Sequence, residues 1–232
     1  MSPVLVLFLV FAILCLIRVP IAVSLGLSSV VALSMIDFTL YTVIQKMFNS
    51  LNSATLMAIP GFVFAGIIMS KGGISFHLIE ALKSWVGHIR GGLAVVTILA
   101  CMIFAAISGS SPATAAAIGS IMIPGMVKAG YSKRYAMGLV AAAGTLGILI
   151  PPSIPLIIYA SVAEESVGKL FAAGIIPGLL LGGILLVSAI VNARIHNYGK
   201  LPKVPMNVRW KKTYKAIWGF LLPVIILGGI YS

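Results

Sequence analysis

Hydroxyl side chains gather at two places in an otherwise apolar chain. One is Ile107-Ser108-Gly109-Ser110-Ser111-Pro112-Ala113-Thr114; the other is Gly144-Thr145-Leu146-Gly147-Ile148-Leu149-Ile150-Pro151-Pro152-Ser153-Ile154-Pro155. Ser108, Ser110, Ser111, Thr114, Thr145 and Ser153 offer neutral oxygens, and the glycines and prolines beside them break any helix. A broken helix exposes carbonyls at one half-end and amides at the other. Carbonyls with hydroxyls coordinate small cations, and amide ends attract carboxylates. An unpaired peptide group in hydrocarbon costs roughly 2–7 kcal/mol, so broken backbone survives there only under cover of protein or a wet cavity. Close helix packing accounts for the first break taken alone, and a plain proline kink for the second. Two breaks at matched depth, each carrying hydroxyls, favour a site for something polar inside a membrane.

The remaining chemistry is mostly exclusion. Sixty per cent of the 232 residues are hydrophobic and 9% are charged, against ~25% charged in soluble domains, so the chain belongs in a membrane. All four acids fall in loops or on a surface helix, and His77, His88 and His196 sit at segment edges. A proton relay needs an intramembrane carboxylate or histidine; sodium held by neutral oxygens fits better. There is no His-Glu-x-x-His, no nucleophile with a nearby base and no Gly-x-x-x-x-Gly-Lys-Ser/Thr loop, so neither an enzyme nor an ATP-driven pump is indicated. The net charge of +12 reflects membrane topology and not nucleic acid binding. Cys15 and Cys101 lie in apolar runs and read as small buried hydrophobes. The first span lacks the basic flank and the cleavage site of a removable signal.

Apolar runs at 2–17, 19–36 and 54–69 read as spans near the ~20-residue requirement, with Asp37 ending the second. Residues 39–52 are amphipathic, with Leu40, Ile44, Met47, Phe48 and Leu51 on one face and Gln45, Lys46, Asn49 and Asn52 opposite. Residues 74–89 repeat the pattern through Leu78, Ile79, Leu82, Trp85, Val86 and Ile89. Both suit helices lying on a membrane surface, with Trp85 at headgroup level. Residues 91–127 read as a re-entrant hairpin with its tip at Ser108 to Pro112, and 132–163 as one crossing made of two half-helices. Residues 168–193 form an unbroken span whose Gly174, Gly178 and Gly182 permit close packing. Residues 194–215 read as a basic loop, and a further apolar segment begins at 216.

Placing the 194–215 block in the cytoplasm puts fourteen of the sixteen basic residues inside and leaves Lys46 and Lys169 outside. The hairpin must then return to the side it left, which a re-entrant loop and a pair of full spans both do.

Four motifs in order carry a resemblance: Gly87-His88-Ile89-Arg90-Gly91-Gly92-Leu93-Ala94, Ser108-Gly109-Ser110-Ser111-Pro112-Ala113-Thr114-Ala115, Gly147-Ile148-Leu149-Ile150-Pro151-Pro152-Ser153-Ile154-Pro155 and Lys169-Leu170-Phe171-Ala172-Ala173-Gly174-Ile175-Ile176-Pro177-Gly178. Along its length the chain resembles the N-terminal half of the large membrane subunit, DctM-type, of tripartite ATP-independent periplasmic (TRAP) transporters. The resemblance implies an all-α integral membrane protein of elevator-type transporter fold, with inverted repeats, a re-entrant hairpin and a discontinuous helix. It implies a multi-pass permease of the bacterial inner membrane. The expected partners are a small membrane subunit, a periplasmic substrate-binding protein, the lipid bilayer and an organic-anion substrate such as a dicarboxylate or sialic acid. No cofactor is implied beyond sodium as coupling ion. Carried onto this sequence, the cation ligands are Ser108, Gly147, Ile150 and Pro152, and the substrate cavity takes Ser110, Ser111, Thr114 and Ser153. Residues 1–73 become scaffold helices, 74–90 an amphipathic arm, 91–163 part of the transport domain, and 164–232 a span, the basic cytoplasmic loop and the start of another segment. Family members are about twice as long, so the chain is expected to be truncated and inactive alone. A carrier working without a binding protein, a channel and a non-transporting fragment stay open as alternatives.

Overall fold

The computed structural model describes residues 2–36, 40–52 and 54–231, which form thirteen helices and, among the described residues, no strand. Asp37, Thr39 and Ser232 lie outside the described residues. The helices group into two units, Met1–Ala54 and Thr55–Ser232.

In the first unit α1 (Pro3–Leu16) packs on α2 (Ile21–Ser34). Small residues at four-residue spacing make the buried face of α2: Ser24, Ser28 and Ala32. Their hydroxyls are satisfied within the chain, Ser24 donating to the Val19 carbonyl at 3.3 Å and Ser28 to Leu25 at 3.1 Å, so the face costs no unpaired polar group. No residue of α1 is buried, and Val4, Phe8, Ile13 and Leu16 are exposed on it. A helix apolar on all sides that its neighbour leaves this open is suited to lipid. The third helix, α3 (Leu40–Leu51), exposes Ile44, Met47, Phe48 and Leu51, and Gln45, Lys46 and Asn49 are exposed as well.

The second unit begins with α4 (Ala54–Lys71), which runs through Pro60, and α5 (Ile74–Val86). It is built around α6 (Gly92–Ser108), fourteen of whose seventeen residues are buried. Packed against α6 are α5, α7 (Ser111–Lys128), α8 (Lys133–Gly144), α9 (Leu146–Leu149), α11 (Val167–Ile195) and α13 (Ile217–Tyr231). The core joins Phe104, Ile98, Ile118, Met122, Met126 and Leu139. The segment expected as a broken crossing is α8, the single turn of α9, and α10 (Ile154–Ala163). Taken together Lys133–Ala163 is long and apolar enough to cross a membrane, as is the 29-residue α11. The three spaced glycines of α11 do pack closely: a Cβ on Gly174 would lie 2.6 Å from the Leu149 carbonyl oxygen, one on Gly178 2.9 Å from Ile150, and one on Gly182 2.7 Å from Met102.

Two expectations change. The face of α5 read as lipid-facing is largely covered by protein, with Leu78 and Ile79 at 0% exposure against α6, α12 and α13; periodicity reports an apolar face and not what covers it. Within 194–215, expected as loop, α11 continues to Ile195 and Met206–Lys215 forms α12. Its anchor is Glu80 on α5, which accepts from Lys83 at 3.2 Å and from Lys212 of α12 at 2.8 Å. Trp85 adds a hydrogen bond to Thr213 at 2.9 Å and an edge-on contact with Trp210.

Truncating the hub should cost most: Phe104→Ala, at a fully buried position, is expected to lose about 3–5 kcal/mol in denaturant unfolding in detergent, while Phe76→Ala, half exposed, should change it by less than about 0.5 kcal/mol. Burial raises the Glu80 pKa, but hydrogen bonds and charge from Lys212 and Lys83 outweigh it and hold it below the usual 4.5. The stabilisation is therefore complete above pH 4.5 and lost as pH falls through the lower folded-state value. Tryptophan fluorescence should report α12 loosening on that acid limb, and Glu80→Gln should abolish this pH dependence.

Candidate functional site

The two breaks share a local grammar. After α6 the chain turns at Gly109, whose φ of +59 caps the helix in a region that side chains disfavour. Ser110 then caps α7, its hydroxyl accepting from the Ala113 amide at 3.5 Å, with Pro112 in the first turn. After α9 the chain passes through the cis Pro151-Pro152 bond to Ser153, which caps α10 by accepting from Leu156 at 3.4 Å, with Pro155 in the first turn. Ser110 and Ser153 have nearly the same backbone angles (φ −135, ψ 123 and φ −126, ψ 122). A serine cap followed by proline starts both half-helices, because proline lacks the amide that an N-terminus could not pair anyway.

The breaks meet through backbone. The Ile154 amide donates to the Gly109 carbonyl at 3.0 Å. A Cβ on Gly109 would lie 2.7 Å from the Pro152 carbonyl oxygen, and one on Gly147 would lie 2.8 Å from the Ser110 carbonyl carbon and 2.9 Å from the Ser111 amide nitrogen. Only glycine admits these approaches.

Hydroxyls complete the junction. Thr114 donates to the Ser110 carbonyl at 2.8 Å and lies 2.8 Å from the Ser108 hydroxyl. One hydroxyl carries one hydrogen, so with Thr114 donating to Ser110, Ser108 donates to Thr114. Ser108 also receives the Ser110 amide at 3.4 Å, which leaves it acceptor capacity for a further partner. Ser153 donates to the Ile148 carbonyl at 2.6 Å, tying the end of α9 to the start of α10.

Of the residues expected to hold a cation, Ser108, Gly147 and Pro152 converge on the backbone of 109–111. The Ile150 side chain faces Gly178 of α11 instead, and its amide donates to Leu146 at 2.8 Å. Of those expected to line a substrate cavity, Ser110 lines a cavity of about 520 Å³ together with Ser108. Thr114 and Ser153 are fully buried and engaged in the bonds just described, and Ser111 is half-buried beside Gly147. Thr145 is exposed and donates to its own helix at Ala142. The cavity, of ligand-pocket size, also takes in Gly66 and Lys71 of α4 and Ser120 of α7. Lys71 is the one charge among its described lining residues. No sequence pattern links it to the breaks, for it stands 37 positions before Ser108, at a helix end where a lysine usually marks topology.

Gly147→Ala should force the junction apart. The expected cost is about 1–3 kcal/mol in thermal unfolding in detergent, whereas Gly183→Ala, with nothing within 4 Å of the added carbon, should leave the midpoint unchanged within about 0.5 kcal/mol.

Comparison with known proteins agrees with these motifs. Residues 8–232 match the family described as the tripartite ATP-independent periplasmic transporter, DctM component. The chain is 51% identical over 212 residues to the C4-dicarboxylate TRAP transporter large permease protein of Pseudomonas aeruginosa, covering 90% of this chain and 49% of that protein. It is 50% identical over 232 residues to the corresponding permease of Vibrio cholerae, covering 97% and 50%. It is 39% identical over 217 residues to the 2,3-diketo-L-gulonate TRAP transporter large permease of Escherichia coli, covering 93% and 51%. The chain thus spans about half the length of the curated relatives it matches. With a family match over nearly its whole length, the chain belongs to the DctM component family of TRAP transporters, the integral membrane permeases of those systems.

Proposed function

We propose that this chain contributes a sodium site and part of an organic-anion path to a secondary transporter of the inner membrane. The observation that carries the proposal is the backbone junction of the two breaks, with Ile154 donating to Gly109 at 3.0 Å and Gly147 against the Ser110–Ser111 peptide. It brings the turn after α6, next to the Ser108 hydroxyl, against Gly147 of α9 and the Pro152 carbonyl, with no carboxylate among these residues. Neutral oxygens of that kind suit sodium rather than a proton. Ser108, Gly147, Ile150 and Pro152 would supply the ligands, the last three through backbone oxygen.

Next to this junction, Ser108 and Ser110 open on a cavity that also holds Lys71. Hydroxyls and one ammonium group can receive a carboxylate. The Pseudomonas aeruginosa and Vibrio cholerae relatives are named for C4-dicarboxylates, which makes a small dicarboxylate the first substrate to try. In this scheme α6 and α7 form the re-entrant hairpin of an elevator-type carrier. A periplasmic binding protein delivers the anion, and a small membrane subunit braces the permease.

Sodium should stabilise the purified chain relative to potassium or choline at equal ionic strength. Saturation tenfold above the dissociation constant corresponds to about 1.4 kcal/mol, readable as a thermal shift, and Ser108→Ala should remove it. Equal midpoints in sodium and potassium would sink the cation site. For transport, the chain can be co-reconstituted with the small subunit, the binding protein and the C-terminal half of the Pseudomonas aeruginosa relative. Labelled C4-dicarboxylate is expected to accumulate only down a sodium gradient; accumulation unchanged in choline would overturn the coupling.

A further inference from the structure

A second cavity, of about 490 Å³, lies away from the breaks, and its composition is unusual for a chain this apolar. Its lining brings together Lys83 of α5, Lys128 of α7 and Lys212 of α12, with Glu80 as the one acid. Three ammonium groups against one carboxylate leave +2 facing a single space. Glu80 already accepts from Lys83 at 3.2 Å and Lys212 at 2.8 Å. Among the described residues no carboxylate pairs with Lys128, which sits in the last turn of α7. The three lysines come from elements far apart in sequence, and the geometry is held: Lys212 and Thr213 tie α12 to α5, and the Leu201 amide donates to the Gly87 carbonyl at 3.1 Å, fixing the loop that closes the cavity. The rest of the wall is mostly apolar, with Leu93, Leu201, Pro202 and Val204, and its one further hydroxyl, Ser84, is committed to the Ala81 carbonyl at 2.6 Å.

We propose that this cavity binds a phosphate-bearing anion, with Lys128 as its principal contact and Lys83 and Lys212, each keeping its bond to Glu80, adding positive charge beside it. A net positive space beside an apolar wall matches a phosphodiester headgroup with carbon attached, and basic pockets between membrane helices on the cytoplasmic side take anionic headgroups. The positive-inside rule puts all three lysines on that side. Free phosphate offers the same oxygens without the carbon. The site is separate from the transport path and does not depend on sodium coupling.

The test uses the full chain in nanodiscs of phosphatidylcholine with increasing phosphatidylglycerol, followed by thermal unfolding. Phosphatidylglycerol should raise the midpoint in a saturable way. Lys128→Gln should shift the half-saturating fraction about fivefold, the change that ~1 kcal/mol per lysine near an anionic surface represents. Lys128→Arg should restore it. Lys200→Gln removes an equal charge at an exposed position outside the cavity and should leave it unchanged. In a second arm, inorganic phosphate is added to pure phosphatidylcholine discs. A Lys128-dependent rise there assigns the site to free phosphate, and a rise with phosphatidylglycerol alone assigns it to lipid. Equal losses in Lys128→Gln and Lys200→Gln would show only bulk charge and overturn the proposal, as would no saturable rise in either arm.

Discussion

One hydrogen bond between backbone groups, from the Ile154 amide to the Gly109 carbonyl, joins two helices at the points where each has given up its own ladder. A helix start leaves amides unpaired and a helix end leaves carbonyls unpaired. In a medium without water each of those groups must find protein, or line a wet space. Here the start of α10 is paired with the turn that follows α6, so one interruption partly satisfies the other. Serine caps absorb further amides at both starts. Beside this junction the Ser108 hydroxyl, donating to Thr114 and receiving the Ser110 amide, keeps acceptor capacity. The chemistry of the site thus follows from which unpaired groups the junction consumes.

Packing around the junction explains why it can hold its geometry. α6 is buried along nearly its whole length and ends at the turn, so the position of Gly109 is set by a helix touched on many sides. Glycine at 109 and 147 lets backbone meet backbone with no side chain between. Rigid main-chain contacts keep oxygen positions better than long side chains do, since few rotamers must be fixed. The cavity next to it is different in kind. It is bounded by small side chains of α7 and by α4, and its single lysine is exposed.

Much of this organisation was legible before any coordinates. Both interruptions, the helices flanking them and the glycine stripe of α11 follow from apolar run length and from proline and glycine placement. The direction in which each hydroxyl points did not follow. Thr114 and Ser153 were counted with Ser110 as lining a cavity, yet both are buried and committed to carbonyls nearby. Hydroxyls near a break serve caps and sites alike, and composition cannot divide them. Lys71 was missed for the opposite reason, since pairing residues distant in sequence is a tertiary fact. The covering of α5 and the helix at Met206–Lys215 are tertiary facts too, for α12 is polar overall and docks through Glu80 and Trp85.

The length of α11 bears on the breaks as well. Twenty-nine residues extend about 44 Å, well beyond a hydrocarbon layer of ~30 Å, so in a bilayer the helix leans or protrudes. Its glycines press on Leu149 and Ile150, at the end of α9. A thicker or thinner lipid environment would alter that lean, and the displacement would arrive first at the half-turn bearing the junction. Bilayer thickness thereby becomes a mechanical input to the geometry of the two breaks, delivered through a stripe of residues that carry no side chain.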